Sequence, residues 1–434
     1  MSFIATSAGG PRPTHEKPSS SHSPPANAMT AAEQPRTRLA LLNLRYSPNL
    51  GDVLLCECLE YGLRKAAPRL DVVQLDIAGR RDFAQGSARR LAAMAMLQRL
   101  PRPVRQRIAR FVLGRSLRRT EPYWQAELAT VDAAVVGGGG LFADADLNFP
   151  LKIAAILRIF AAFGLPAAVH AVGVSDNWSP EGEALFRQAL TNVTLVHATV
   201  RDELSRAIWT RRLAPAGVRS PDLARDPGFL AAECYPPAPR RPHPTQRIGI
   251  CVTHPTALRY HADAPMPPAA ALEQWFAALV AAFTTMGCAV FLFTTGSPED
   301  EAYAGEITPR LLAAVDPAGS ATRMPRFARA AELAGFISTL DLLIAHRLHA
   351  CIAAYSFAVP HIGLTWDVKM RSHFESVQRT PFLRDAVATS VDDMVALAQE
   401  TMRAGIAPAE HAAVMRETHG DIAALLAKLT ATPP

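Results

Sequence analysis

The sequence predicts an α/β protein in which two Rossmann-like domains face each other across a cleft. Short apolar runs of strand type alternate with helical patterns through both halves of the 434 residues. A proline-rich stretch at 234–246 separates the two halves. Polar and glycine-rich segments follow several of the strands, and sheets of this kind bind ligands at the carboxyl ends of their strands.

The predicted organisation begins with a leader at 1–35, which is rich in Pro, Ser and Gly and has too little apolar surface to fold. Met1 and Met29 are both candidate translation starts. An N-terminal Rossmann-like domain is expected at 36–233, and a linker follows it at 234–246. A C-terminal Rossmann-like domain is expected at 247–380, followed by C-terminal helices at 381–434.

The first domain should open with a strand, a loop and a helix. LALLNLR is an apolar run of strand type, SPNLGD is polar, and the next residues have helical periodicity. AAVVGGGGLF is a buried strand that runs into glycines. The elements predicted after this opening are strands at 72–77, 133–142, 167–174 and 193–200, and helices at 152–163, 181–192 and 202–209.

The second domain repeats this alternation, beginning with the strand RIGICV. The segment Ser-Pro-Glu-Asp at 297–300 has the cap residue, the proline and the acids typical of a helix start. The other elements predicted here are helices at 268–286, 326–336 and 346–356, strands at 342–345 and 361–366, and tail helices near 391–404 and 409–428.

Composition limits the class of protein. Apolar residues make up 49% and charged residues 19%, which supports a large core and excludes general disorder. The six cysteines form no C-x-x-C pair and are expected to be reduced. The longest apolar run, 153–174, is interrupted by Arg158, Pro166 and His170, so it is not expected to span a membrane. The N-terminus lacks a basic start and an apolar region, and we expect a cytoplasmic protein.

Positive charge is concentrated at 80–119, which is predicted to be a basic helical insertion. This segment holds twelve Arg and one Asp, a net charge of +11, although the whole chain carries only +6. Amphipathic helices of this type can rest on anionic lipid, and peripheral binding at the inner membrane is one interpretation. A solvated cationic face or a partner site is equally compatible with the pattern. Aromatic residues are nearly absent from the segment, which argues against nucleic acid as a partner.

The sequence AHRLHACIAAY carries the strongest chemical signal. His346, Arg347 and His349 lie where a buried strand passes into a helix, so free backbone N–H groups and the positive helix end favour an anion there. Arg347 can bind a carboxylate or phosphate with two hydrogen bonds, and His349 can donate a proton near neutral pH. The structural alternative is a polar helix start. A metal site is not predicted, because the two histidines have no third ligand nearby.

The glycine run at 137–140 follows a buried strand, and Gly138 and Gly139 could let the backbone approach a ligand closely. A tight turn without a ligand is the alternative. Asp144 and Asp146 form a D-x-D pair, which holds a divalent cation in some glycosyltransferases and also arises often by chance.

Three further groups follow predicted strands on the same side of the sheets, and each has a structural alternative. Arg201 and Lys369 are candidate anion contacts or ordinary surface cations. Asn49, Gly51 and Asp52 lie in the first loop, where they could bind substrate or form a turn and a helix cap.

Taken in order, these segments resemble the polysaccharide pyruvyl transferase family. The matching segments are SPNLGDVLL at 47–55, VVGGGGLF at 135–142, HAVGVS at 170–175, VRDELS at 200–205, DPGFL at 226–230, HRLHACIAA at 346–354, VPHIGL at 359–364 and WDVKM at 366–370. They extend over most of the chain from about 40 to 375. His346 departs from the family pattern, because a small or apolar residue is more usual before the arginine.

The resemblance implies a GT-B-like fold and transfer of a pyruvyl group from phosphoenolpyruvate to a sugar, giving a cyclic ketal. It implies that His349 protonates the donor's methylene and that Arg347 and Arg201 hold the donor's carboxylate and phosphate. No metal or redox cofactor is then expected, and the acceptor would be a saccharide, in many family members a lipid-linked one. The alternatives are a GT-B-like glycosyltransferase that uses a nucleotide sugar and a non-catalytic scaffold.

Overall fold

Two parallel six-stranded sheets organise the chain. The computed structural model describes residues 37–83, 100–239, 244–255, 268–315 and 319–431. The predicted leader at 1–35 and the part of the basic insertion at 84–99 lie outside the described residues. The described residues form one compact unit.

The first sheet has the strand order β2-β1-β3-β4-β5-β6, and every pairing in it is parallel. The order reverses between β1 and β3, which places a crevice beside the carboxyl ends of these two strands. The strands are β1 Arg38–Asn43, β2 Asp71–Asp76, β3 Ala133–Gly137, β4 Ala167–Val172, β5 Leu195–Val200 and β6 Asp222–Leu223.

The second sheet has the order β12-β11-β10-β7-β8-β9, again with parallel pairing, and it reverses between β7 and β10. The strands are β7 Arg247–Cys251, β8 Ala289–Phe293, β9 Ala321–Arg323, β10 Leu342–Ala345, β11 His361–Leu364 and β12 Leu383–Arg384. The predicted α/β class with two Rossmann-like sheets is confirmed.

Helices cover both sheets, and short polar side chains begin several of them. Asn49, Ser179, Asp202, Asp367 and Ser390 each accept a backbone N–H hydrogen bond at a helix start. The described helices are α1 Leu50–Ala66, α2 Arg102–Leu128, α3 Asn148–Phe163, α4 Pro180–Thr191, α5 Glu203–Leu213, α6 Ala231–Cys234, α7 Ala269–Thr285, α8 Pro298–Val315, α9 Ala330–Ile337, α10 Leu348–Ser356, α11 Val368–Ser376, α12 Val391–Ala404 and α13 Pro408–Thr430.

A large apolar cluster joins the two halves. It contains Leu59 of α1, Leu333 of α9, Ala353 of α10 and Leu425 of α13, all of them buried. Helix α1 therefore packs against helices of the second half, and α13 returns from the second half to the first sheet. This packing fixes the loops at the carboxyl ends of β1 and β10 relative to each other.

The described parts of the basic insertion are residues 80–83 and 100–119, and residues 102–119 form about the first two thirds of helix α2, which begins immediately after Pro101. Buried Trp124 and Leu128 anchor the far end of this helix in the first half. Phe111 and Val112 lie on its outer surface, where they are 71% and 57% exposed. No helix in the described ranges combines the length and the apolarity needed to cross a membrane.

Candidate functional site

The loop after β1 is held from both halves of the chain. The Asn49 side chain accepts from the Gly51 N–H at 3.2 Å, and the Ser47 hydroxyl donates to Asp52 Oδ2 at 2.9 Å. The Leu50 N–H donates across the halves to the carbonyl of Thr295 at 2.7 Å. These bonds hold Asp52, in the first turn of α1, at the boundary between the two sheets.

His349 meets this loop from the first turn of α10. A Cβ added to Gly51 would lie 2.7 Å from His349 Cβ and 2.8 Å from Nδ1, so only glycine allows this approach. His349 Nδ1 lies 3.6 Å from Asp52 Oδ1. The structure thus brings together three predicted site residues, Gly51, Asp52 and His349. Asp52 and His349 form an imidazole–carboxylate pair between the two halves.

The surroundings of His349 favour its neutral form. Burial lowers its pKa to about 3, and the positive charges of Arg201, Arg347 and Lys369 act in the same direction. Burial raises the pKa of Asp52, although the Ser47 hydrogen bond and the charge of Arg347 oppose that change. At neutral pH the free protein therefore holds an uncharged imidazole among three cations.

Arg347 is paired within the protein. It is the N-cap residue of α10, and its Nε and Nη2 donate to Asp300 Oδ2 at 2.8 Å and 2.5 Å. Asp300 is fully buried and also accepts from the His254 N–H at 2.9 Å. Burial lowers the pKa of Arg347, but the Asp300 carboxylate raises it by more, so the pKa of Arg347 is raised overall. This pairing fixes the guanidinium and leaves its side chain 18% exposed.

Arg201 follows β5 and lies flat against the backbone of Gly173, where an added Cβ would be 2.8 Å from Nη2. Its Nε is 3.4 Å from Asp202 Oδ2, and its Nη1 is 3.6 Å from Asp226 Oδ2. Both pairs are longer than a good hydrogen bond. Burial raises the pKa of Asp226. Arg201 is thus a buried cation with only loose pairing to its two carboxylates.

The glycine loop after β3 reaches the same region. Gly138 and Gly139 have φ of +75° and +76°, a conformation that favours glycine. The Gly139 carbonyl accepts from the Gly173 N–H at 2.8 Å, which fixes the loop beside Arg201. A Cβ added to Gly140 would lie 3.6 Å from Lys369 Nζ, so the lysine extends from α11 to this loop.

His346 lies apart from the other predicted site residues. Its ring is fully buried and meets the ring of Phe276 edge-on at 6.2 Å, inside the second half. Neither ring nitrogen has a hydrogen-bond partner among the described residues. Burial and then the charge of Arg347 lower its pKa to about 3. A substrate contact by His346 stays a prediction, and the geometry offers no direct support for it.

The D-x-D carboxylates are occupied by protein groups. Asp144 accepts from the Leu147 N–H at 2.6 Å and from both the N–H and the hydroxyl of Ser179. Asp146 is paired with Arg105 at 2.9 Å. Within the described ranges, no group of three or more His, Cys, Asp or Glu side chains could hold a metal ion.

A cleft of about 300 Å³, open to solvent, lies between the end of β5 and helix α11. Arg201 and Lys369, two of the predicted substrate contacts, line it. The lining residues that sequence reasoning missed are Asp202, Arg225, Asp226, Phe229, Leu348, Ile352, Ser372, His373 and Ser376. Positions 369, 372, 373 and 376 fall on one face of a helix. A helix prediction for this segment would therefore have indicated these four lining residues.

The two parallel sheets and their order reversals define a GT-B-like fold. The family model described as polysaccharide pyruvyl transferase matches residues 49–368. The chain belongs to the polysaccharide pyruvyl transferase family, as its motifs predicted.

Solved structures share the fold at low sequence identity. The UDP-GlcNAc 2-epimerase from Methanocaldococcus jannaschii matches with a TM-score of 0.53 and 8% identity, covering 84% of this chain and 92% of that one. A putative UDP-N-acetylglucosamine 2-epimerase from Listeria monocytogenes matches with a TM-score of 0.52 and 9% identity, covering 91% and 96%. No curated protein gives a significant sequence match.

Proposed function

We propose that this protein transfers the pyruvyl group of phosphoenolpyruvate to two hydroxyls of a saccharide and forms a cyclic ketal. One observation carries the proposal: His349 faces Asp52 across the two halves and lies in the field of three cations. Such a site suits a compact polyanion that must receive a proton. The family match supports the same reaction class.

The donor's negative groups have suitable partners here. Arg201 and Arg347 come from the two halves, and Lys369 reaches toward the glycine loop. The first turn of α10 adds the positive end of a helix. Together these groups would hold the carboxylate and phosphate of phosphoenolpyruvate while its methylene faces His349.

The chemistry then follows in balanced steps. With Nδ1 directed to Asp52, the Nε2–H of protonated His349 gives its proton to C3 of the donor, and C2 becomes electrophilic. A sugar hydroxyl adds to C2 and gives its proton to the neutral His349, which restores the imidazolium. The C2–O bond to phosphate then breaks, the second hydroxyl adds to C2 and closes the ketal, and its proton goes to the departing phosphate, which leaves as hydrogen phosphate. The fixed cations stabilise the negative charge on the departing phosphate.

Thermal denaturation with added ligand tests the donor against the glycosyltransferase alternative. Phosphoenolpyruvate should stabilise the protein in the presence of EDTA, by about 2.7 kcal/mol at 100 times its dissociation constant. Lys369→Gln should lose most of this effect, whereas Arg371→Gln, an exposed cation on the same helix, should keep it. Stabilisation by UDP with Mn²⁺ and none by phosphoenolpyruvate would contradict the proposal.

We also propose that helix α2 binds peripherally to an anionic membrane that carries the acceptor. Its outer surface combines exposed Phe111 and Val112 with the exposed arginines Arg107, Arg115 and Arg118. Apolar side chains enter the interface and arginines pair with lipid phosphates, so the pattern complements such a surface. An uncharged bilayer would satisfy only the apolar part.

Vesicle sedimentation tests this localisation. The protein should bind vesicles that contain phosphatidylglycerol and should bind phosphatidylcholine vesicles weakly. Phe111→Asp with Val112→Asp should abolish binding, while Gln125→Asp, exposed on the same helix, should not. Equal binding by the double variant and the wild type would exclude α2 as the membrane contact.

A further inference from the structure

Helix α11 presents a continuous polar face to the cleft, beyond the one lysine predicted from sequence. Lys369, Ser372, His373 and Ser376 are spaced i, i+3, i+4 and i+7, and all four line the same space. The volume of about 300 Å³ includes open solvent, so the cleft is suited to one small polar unit at most.

Two buried polar atoms at this cleft have no hydrogen-bond partner among the described residues. They are Asp226 Oδ2 and His373 Nε2, on side chains whose residues are 4% and 7% exposed. Asp226 belongs to the DPGFL segment, and its other oxygen accepts from the Gly228 N–H at 3.0 Å. Buried polar atoms in native proteins are normally paired, so these two atoms indicate a ligand that can bond to them.

The chemistry of the two atoms selects the ligand. A carboxylate oxygen can only accept a hydrogen bond, so a phosphate or carboxylate ligand would leave Asp226 Oδ2 unpaired and repel it. A hydroxyl can donate to Asp226 and either donate to or accept from the imidazole of His373. The hydroxyls of Ser372 and Ser376 extend the same preference along the helix. A ligand rich in hydroxyls satisfies these polar atoms and an anion does not, whereas the cations Arg201, Arg225 and Lys369 at the same cleft suit the neighbouring donor.

Part of the cleft surface is apolar, beside the charged side chains of Arg201, Asp202 and Arg225. Phe229, Leu348 and Ile352 line it, and they offer a surface for the C–H face of a pyranose ring. Arg201 and Lys369 line the cleft and also act electrostatically on His349. A sugar held here would therefore lie next to the donor groups.

We propose that this cleft is the acceptor subsite and binds one pyranose unit through Asp226, Ser372, His373 and Ser376. The inference rests on the proposed pyruvyl transfer and extends it, because it locates the acceptor beside the donor rather than in the donor's own site. No sequence motif had indicated where the acceptor binds.

Saturation-transfer NMR with the intact protein tests the subsite. The probes are methyl β-galactopyranoside, methyl β-glucopyranoside and methyl α-mannopyranoside at millimolar concentration. At least one should receive saturation from the wild type, and phosphoenolpyruvate should not displace it. Ser372→Trp should remove the signal by filling the cleft, and Glu375→Trp, on the exposed side of the same helix, should keep it.

Asp226→Asn provides a second variant with nearly unchanged shape, and it should weaken glycoside binding about tenfold through loss of a charged acceptor. The subsite is refuted if no glycoside binds the wild type, if Ser372→Trp and Asp226→Asn both bind as the wild type does, or if phosphoenolpyruvate displaces the glycoside. Thermal stabilisation by phosphoenolpyruvate in the same samples is read separately. No stabilisation by phosphoenolpyruvate would refute the donor assignment. Stabilisation by phosphoenolpyruvate without glycoside binding would refute the acceptor subsite alone.

Discussion

Binding of phosphoenolpyruvate should load a proton onto His349. In the free protein, burial and three nearby cations lower the pKa of His349 to about 3. At pH 7 the protonated fraction is then about 10⁻⁴, and protonation costs about 5 kcal/mol. A general acid needs that proton before it can act, so the donor must supply most of this free energy.

The charge of the donor is large enough to do so. One negative charge about 5 Å from the imidazolium contributes about 3.3 kcal/mol at an effective dielectric constant of about 20. Two such charges exceed the cost of protonation at pH 7. Because the bound donor raises the pKa of His349, binding at pH 7 should be accompanied by proton uptake. This uptake should disappear at a pH well above 8, where His349 stays neutral in the complex as well.

Isothermal calorimetry in buffers with different ionisation enthalpies measures this uptake. The slope of the observed binding enthalpy against buffer enthalpy gives the number of protons taken up. The donor phosphate has its own second pKa of about 6, so the comparison is made with His349→Gln, which cannot titrate. The wild type should take up about one proton more than this variant.

Equal proton uptake by the wild type and His349→Gln, with the donor bound in both, would refute this reasoning. His349 would then be either already protonated in the free protein or never protonated in the complex. The first result would show that the pKa of His349 is not lowered in the free protein, and the second would move the acid to another residue.

Three further outcomes are expected. Gly51→Ala should displace the His349 ring and lower the free energy of unfolding in urea by about 1–3 kcal/mol. The rate of phosphate release should fall far more than the affinity for the donor, and an unchanged rate would contradict the close packing. Asp52→Asn should move the loss of activity at high pH about one pH unit lower, because the imidazolium loses its carboxylate; an unchanged pH profile would exclude the pair. His170 and His361 have pKa values lowered to about 3 by burial, so the unfolded chain takes up their protons below pH 6.5, and these two side chains alone should lower stability by about 4 kcal/mol from pH 7 to pH 5; equal urea midpoints at the two pH values would show that they titrate normally.

The sequence predicted the parts of the site that depend on strand ends. Asp52 and His349 both follow buried parallel strands, and the carboxyl ends of such strands meet at the crevice where strand order reverses. Gly51 was predicted only as part of a turn or a ligand loop. Its actual requirement, contact with His349, involves a residue in the opposite half of the chain and has no local signal.

Other features depended on packing that periodicity does not report. Asp300 fits an acid in the first turn of a helix, yet it is buried and pairs with Arg347. Helix α11 follows the predicted strand at 361–366, but its sequence VKMRSHFES has little apolar periodicity and gave no helix prediction. The polar face of this helix, and the cleft that it lines, therefore emerged only from the structure.

Deuterium incorporation at C3 of phosphoenolpyruvate measures the proposed proton transfer from His349. The protein is incubated with phosphoenolpyruvate and the three methyl glycosides in D₂O, and C3 is followed by NMR. We expect a CH₂D methyl group in the ketal product, or deuterium in the donor's vinyl position, with the wild type and neither with His349→Gln. Unlabelled, unconsumed phosphoenolpyruvate in the wild-type sample would exclude the transfer, and equal labelling by His349→Gln would exclude His349 as the acid.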